Sequence, residues 1–236
     1  AIAASAMAQE AGYSGEERQV LREEIRAFLL ENPEVLMEAI GILEQRQAQE
    51  TANATSEALT TNQEAIFSDG YSFVGGNPEG SITMVEFLDF NCGFCKRAHT
   101  DVKKLLASDG DIRLIVKEFP ILGPTSVTAA RAAKATLLNE GPEAYERLND
   151  ALMTFQGRLN DTSIERIADG LGIDVAAMKA RMDSAEISEM LTKNRAVAQA
   201  LQVNGTPTFI IGDEVIRGFL PLDELRSVVE RERSKL

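Results

Sequence analysis

Apolar side chains recur at helical spacing near the start of the chain. Val20, Leu21, Ile25, Phe28 and Leu29 form one stripe, and Ser14 with Glu17 ahead of it has the spacing of a capping box. This predicts a helix from Ser14. Asn32 and Pro33 then read as the cap and first position of a second short helix carrying Val35, Leu36, Met37, Ile40, Ile42 and Leu43. Two short helices with so much apolar surface cannot bury it on each other alone, which predicts packing against another subunit. Folding back onto the rest of the chain is the competing outcome. A polar run begins at Glu44, and residues 46–66 have few large apolar side chains and no Gly or Pro, so they fit either a solvated helical linker or a tether.

From about Ala65 the pattern alternates between strand and helix. A short strand is expected at Tyr71–Val74, punctuated by Gly75-Gly76-Asn77-Pro78, and a largely buried one at Ile82–Phe90. Ala98, Val102, Leu105 and Leu106 mark a helix from Cys92 to about Ala107, ended by Asp109-Gly110, and Ile112–Phe119 is the next strand. Residues 125–201 are helical almost throughout: an alanine-rich run at 127–138, Pro142 near a helix start, a capping box at Thr162–Glu165, and Ile187, Met190, Leu191, Val197 and Leu201 in a last amphipathic stretch. Thr208–Ile211 and Glu214–Arg217 flank the turn Gly212-Asp213 as a hairpin, and residues 222–235 close the chain as a helix. A sheet split by a helical insertion is an α/β pattern. The expected domains are 9–64, helical with its linker, and 65–236, the main domain.

Composition narrows the partners. With 236 residues and 44% hydrophobic content the chain can bury a core, and a net charge of −13 argues against nucleic acid or anionic membrane as partner. No segment reaches the about 20 uninterrupted apolar residues of a bilayer-spanning helix. Residues 1–8, ending in Ala6-Met7-Ala8, fit the tail of a secretory signal before its cleavage site, which implies a periplasmic or secreted protein; an arbitrary alanine-rich terminus is the plainer alternative.

Only two cysteines are present, Cys92 and Cys95, so disulfides do not staple the fold and the pair has a chemical use. Placed where a buried strand enters a helix, Cys92 meets unpaired backbone N–H groups and the helix dipole, which favour its thiolate. Cys95, one turn on, is the more buried. Cys92 can then exchange with an external disulfide and Cys95 resolve the mixed disulfide. A structural zinc site needs four ligands, and two cysteines with His99, the one histidine, do not supply them. Two soft thiolates could instead hold Cu(I), and a redox-inert scaffold is a third class. His99, four residues after Cys95, reads first as an ordinary helix residue and second as a group tuning the thiols.

Strand, Cys-Gly-Phe-Cys, helix, helical insertion and then Gly205-Thr206-Pro207-Thr208 resemble the thioredoxin superfamily, and the insertion points to its DsbA-type branch. The resemblance covers residues 65–236. It implies a thioredoxin-like fold with an inserted helical subdomain and a thiol-disulfide oxidoreductase with no cofactor beyond a Cys92–Cys95 disulfide. It also implies a cis Thr206–Pro207 bond with Pro207 against that disulfide, and backbone there free to pair with a client strand. Gly93 and Phe94 would meet the same client. Glu86, six residues before Cys92, occupies the superfamily's position for a buried acid, able to take or return the proton of Cys95. Pairing with Lys117 is its alternative, and Asp89, on the other face, is a weaker candidate. The Gly-Phe pair departs from the Cys-Pro-His-Cys of strongly oxidising relatives, which puts strong oxidising power in doubt. The N-terminal helices resemble the oligomerisation stalk of the suppressor-of-copper-sensitivity and Com1-like branch. That likeness implies a homo-oligomer, dimer or trimer, acting as isomerase or oxidase on unfolded or misfolded secreted proteins with a membrane redox partner.

Overall fold

The computed structural model describes residues 14–236, and the signal-like residues 1–8 lie outside them. Helix α1 (Gly15–Glu31) starts with the expected capping box: the Glu17 N–H donates to the Ser14 hydroxyl at 3.3 Å and the Ser14 N–H to the Glu17 carboxylate at 2.8 Å. Its end differs from the sequence reading. Asn32 caps α1 rather than opening the next helix, its side-chain amide donating to the Phe28 carbonyl at 2.9 Å. The last carbonyls of a helix need partners as much as the first N–H groups do, and Asn can serve either end. Helix α2 (Glu34–Thr61) is not short. It passes Glu44 unbroken for 28 residues, because a run rich in Ala, Gln and Glu sustains helix without an apolar face.

The described residues divide into two compact units, 14–53 and 54–236. In the first, α1 has no buried residue, and Ile25, Phe28, Ile40 and Leu43 stand about half exposed. No helix among the described residues is long and apolar enough to cross a membrane.

The second unit holds α3 (Gln63–Phe67), β1 (Phe73–Gly76), β2 (Ile82–Leu88), α4 (Gly93–Asp109) and β3 (Ile112–Glu118). Five helices follow: α5 (Pro124–Glu140), α6 (Pro142–Thr154), α7 (Asp161–Gly170), α8 (Val175–Met182) and α9 (Ala185–Ala200). Hairpin β4 (Thr208–Ile211) and β5 (Glu214–Arg217) and helix α10 (Leu222–Arg233) complete it. The strand order is β1-β3-β2-β4-β5, with β2 and β3 parallel and the other pairs antiparallel. This is a thioredoxin-like mixed sheet with a helical insertion between β3 and β4.

Two local expectations are corrected. Strand β1 starts after Tyr71 and absorbs Gly75 and Gly76 instead of ending at them. Gly76 has φ 65° and a Cβ there would lie 2.4 Å from the Ile112 carbonyl, so only glycine lets this strand end lie against β3. Helix α7 is capped by Asn160 and Ser163, which exchange backbone-to-side-chain bonds of 2.9 Å, not by Thr162 and Glu165. Glu165 is drawn off to Lys179 at 2.7 Å.

Period-two alternation sorts the sheet into two faces. Met84, Leu88, Leu114, Val116, Phe209 and Ile211 join the core built with α4, α10 and the insertion; Val85, Phe87, Ile115 and Ile210 pack with Ile66, Val197, Ala198 and Leu201. Cys92 and Cys95 belong to the first of these cores.

Candidate active site

Strand β2 delivers the chain to Asp89, and the cysteines start the helix four residues beyond the strand. The Asp89 carboxylate accepts backbone N–H groups from Asn91 (2.8 Å), Ile121 (2.8 Å) and Leu122 (3.0 Å), tying the turn before Cys92 to the segment after β3. Asn91 extends that tie to α5, donating to the hydroxyls of Thr125 (3.0 Å) and Ser126 (3.2 Å). Asp89 is therefore a buried organiser of the turn.

Cys92 is the N-cap of α4, its sulfur accepting the Cys95 N–H at 3.3 Å. The thiol lies 3.1 Å from the Thr206 carbonyl, so α4 and the loop before β4 meet at this sulfur. Hydrogen bonding from the Cys95 thiol holds the pKa of the buried Cys92 down, to about 6, against the effect of that burial; the Thr206 side chain and the N–H groups of Cys95 and Phe94 add to it. Cys95 is fully buried, and that burial, followed by its hydrogen bond to Cys92, pushes its pKa far up. Both are free thiols. The helix start thus ionises one sulfur and keeps the other protonated.

Glu86 lies beneath this pair, 2% exposed, with its Oε1 atom buried and without a hydrogen-bond partner among the described residues. Burial, then the nearby Cys92, raises its pKa to about 8. Lys117 is not its partner. It aligns with Phe87 in the parallel register, hence on the opposite face, and pairs with Asp69 at 2.5 Å. His99 is engaged away from the sulfurs, with Nε2 2.7 Å from the Asp150 carboxylate on α6.

Thr206–Pro207 is cis, and Pro207 is buried. The Pro207 carbonyl is taken by the Gly218 N–H at 2.9 Å, whereas the Thr206 N–H has no backbone acceptor among the described residues. Gly93 and Phe94 are both exposed, and Phe94 stacks under the Arg97 guanidinium at 4.3 Å. No group of three or more His, Cys, Asp or Glu able to hold a metal occurs among the described residues.

A family model described as Thioredoxin matches residues 68–231, a span that includes both cysteines and Pro207. The chain belongs to this family. Within the thioredoxin superfamily it is a DsbA-type, ScsC-like member: a second model, the N-terminal domain of copper resistance protein ScsC, matches residues 17–50. A thioredoxin-like oxidoreductase from Silicibacter pomeroyi is 39% identical, with TM-score 0.70 over 73% of this chain and 98% of its own. The thiol-disulfide exchange protein alpha-DsbA2 of Wolbachia pipientis is 33% identical, with TM-score 0.71 over 76% and 96%. Proteus mirabilis ScsC in a transitional conformation is 28% identical, with TM-score 0.70 over 95% and 100%. Among curated relatives, the DsbA-type chain spans 75% of disulfide bond formation protein D from Bacillus subtilis but only 24% of a Na(+)/H(+) antiporter NhaA from Salinispora tropica. The protein is a thiol-disulfide oxidoreductase.

Two features of this thioredoxin-fold protein escaped the sequence. One is the role of Asp89, for which the signal was available: an Asp two residues before a backbone N–H at a strand end is an Asx turn. The other is a buried ionic cluster, in which Glu118 accepts from the Tyr145 hydroxyl at 2.6 Å and lies 2.8 Å from Lys134, all three fully buried. Its only trace was the pair Lys117-Glu118 inside an apolar strand.

Proposed function

We propose that this oxidoreductase acts in the periplasm as a protein disulfide isomerase, through a mixed disulfide on Cys92. The observation that carries the reading is the split between the two thiols at one helix start. A thiolate at Cys92 is formed at neutral pH and attacks a client disulfide sulfur: the Cys92–client S–S bond forms, the client S–S bond breaks, and the released client thiolate takes up a proton. If a second client thiolate attacks the mixed disulfide, Cys92 returns as thiolate and the client is rearranged. If Cys95 attacks instead, it must lose its proton. Once Cys92 is in the mixed disulfide its charge no longer helps hold the proton on Glu86, so Glu86 can release that proton to solvent and then take the one from Cys95. The products are a Cys92–Cys95 disulfide and a reduced client. The free Thr206 N–H suits pairing with client backbone beside Pro207, with Gly93 and Phe94 on the other side.

No cofactor beyond the cysteine pair is needed for this cycle. A membrane redox partner would reset the pair, and the exposed stripes of α1 and α2 would join copies into an oligomer. The periplasmic assignment is supported by a Salmonella enterica relative described as a periplasmic thioredoxin-like protein, 30% identical over 95% of its length. Cu(I) binding by the Cys92 and Cys95 thiolates is the weaker reading, since burial keeps Cys95 protonated and a soft metal needs the thiolate. Refolding of ribonuclease with scrambled disulfides tests the proposal. Activity should return with the native chain and fail to return with Cys92→Ser; no recovery with either would reject isomerase function.

A further inference from the structure

Beside Cys92 a cavity of about 760 Å³ opens between the start of α4 and the loop after α6. Gly93 lines it, so it begins next to the reacting sulfur, and Lys96, Arg97 and Arg158 face it together with Phe155. Among the described residues no Asp or Glu lines it. That is unexpected in a chain with 37 acidic residues against 24 basic ones. The three cations also lack carboxylate partners elsewhere: none of them is in an ion pair among the described residues. Lys96 donates to the Phe155 carbonyl at 2.8 Å, which fixes the loop against α4. Arg97 lies between the rings of Phe94, at 4.3 Å, and Phe219, at 5.4 Å. Stacking of that kind holds the guanidinium plane in place while leaving its N–H donors free for a carboxylate.

We propose that this basic cleft is a specificity subsite for an acidic client segment flanking the client's reacting cysteine. The proposal rests on the exchange reading above and adds the class of client. A polypeptide bonded to Cys92 must leave the sulfur in some direction, and the cleft offers it three unpaired cations and an aromatic wall. The net charge of −13 repels an acidic chain overall, so attraction in this cleft sets orientation as well as preference. The step itself is the one given above, with the Cys92 sulfur attacking one sulfur of the client disulfide.

The test uses the reduced protein and two disulfide-linked peptide dimers of equal length, one with Glu and one with Lys around the single cysteine. Acid-quenched chromatography gives the rate of peptide thiol release, and each rate is divided by that of the same dimer with 2-mercaptoethanol, which removes the peptides' own difference in reactivity. The acidic dimer should react about tenfold faster at low salt, with the ratio falling toward one at 1 M salt and in Arg97→Gln/Arg158→Gln. Equal rates, a preference for the basic dimer, or a ratio that survives both salt and the double variant would overturn the subsite. No thiol release from either dimer would overturn the exchange reading, and the subsite with it.

Discussion

Glu86 and Cys92 depart from their ordinary pKa values in opposite directions, and the two departures act on stability in opposite senses. Glu86 in the folded chain keeps its proton up to about 8 against an ordinary 4.5. Between those values the unfolded chain has already released that proton, so stability falls as pH rises, by an amount on the order of a few kcal/mol in all. Cys92 is the reverse case, about 6 when folded against an ordinary 9.0, so its contribution is complete above pH 9 and is lost as pH falls through 6. In the reduced protein the two slopes oppose each other between pH 6 and 8. With Cys92 held in a disulfide only the Glu86 slope remains. Urea denaturation of the oxidised protein should therefore show stability dropping steadily from pH 5 to 8, and Glu86→Gln should flatten that decline. An unchanged slope in Glu86→Gln would show that the carboxyl is not the titrating group. The reduced protein should alkylate with iodoacetamide at Cys92 alone, with the rate rising around a midpoint near pH 6.

At the scale of elements, the strand-to-helix junction was readable because three independent signals coincide there. The run Ile82–Leu88 is apolar enough for a central strand, the residues after Cys92 repeat at 3.6, and Gly110 provides the helix stop at φ 74°. A Cβ at Gly110 would meet nothing within 4 Å, so Gly110→Ala probes backbone conformation alone and should cost about 1 kcal/mol in thermal or urea unfolding. Gly76→Ala should cost more, since it adds a clash with the Ile112 carbonyl to the same unfavourable φ. What could not be read was the meeting of β3 with α5. Lys134 sits in an alanine-rich run where a lysine looks like a solvated cation, and only the packing of α5 behind the sheet brings it to Glu118 and to the Tyr71 carbonyl at 3.3 Å. Removing one partner of such a pair strands the other in the core. Lys134→Met should cost about 3–5 kcal/mol, and Lys134→Met/Glu118→Gln less than the single change, as measured by equilibrium unfolding. Equal losses in the single and double variants would mean that the charge on Glu118 is satisfied without Lys134.

At the scale of the whole molecule, the question is what covers the N-terminal helices. Their apolar stripes were legible at once, whereas the continuity of α2 was not, because a polar helix and a polar tether share a composition and differ only in cooperativity. In the single chain Ile25, Phe28, Ile40 and Leu43 remain about half exposed, and no residue of α1 is buried. Burying the exposed half of such side chains between copies is worth about 1 kcal/mol each, so the stripes of both helices together can hold an oligomer. A charge placed in the stripe must then be desolvated on association but stays in water in the separated chain. Phe28→Asp/Leu43→Asp should accordingly give a monomer in sedimentation analysis while leaving the unfolding midpoint of the catalytic unit where it was. Isomerisation of scrambled ribonuclease needs several contacts with one client, whereas consumption of a small disulfide needs only Cys92 and its surroundings. The double variant should therefore lose most isomerase activity and keep its rate with hydroxyethyl disulfide. Retention of the native mass would mean that the stripes are not the interface; a monomer with full isomerase activity would mean that assembly is not what makes the molecule an isomerase.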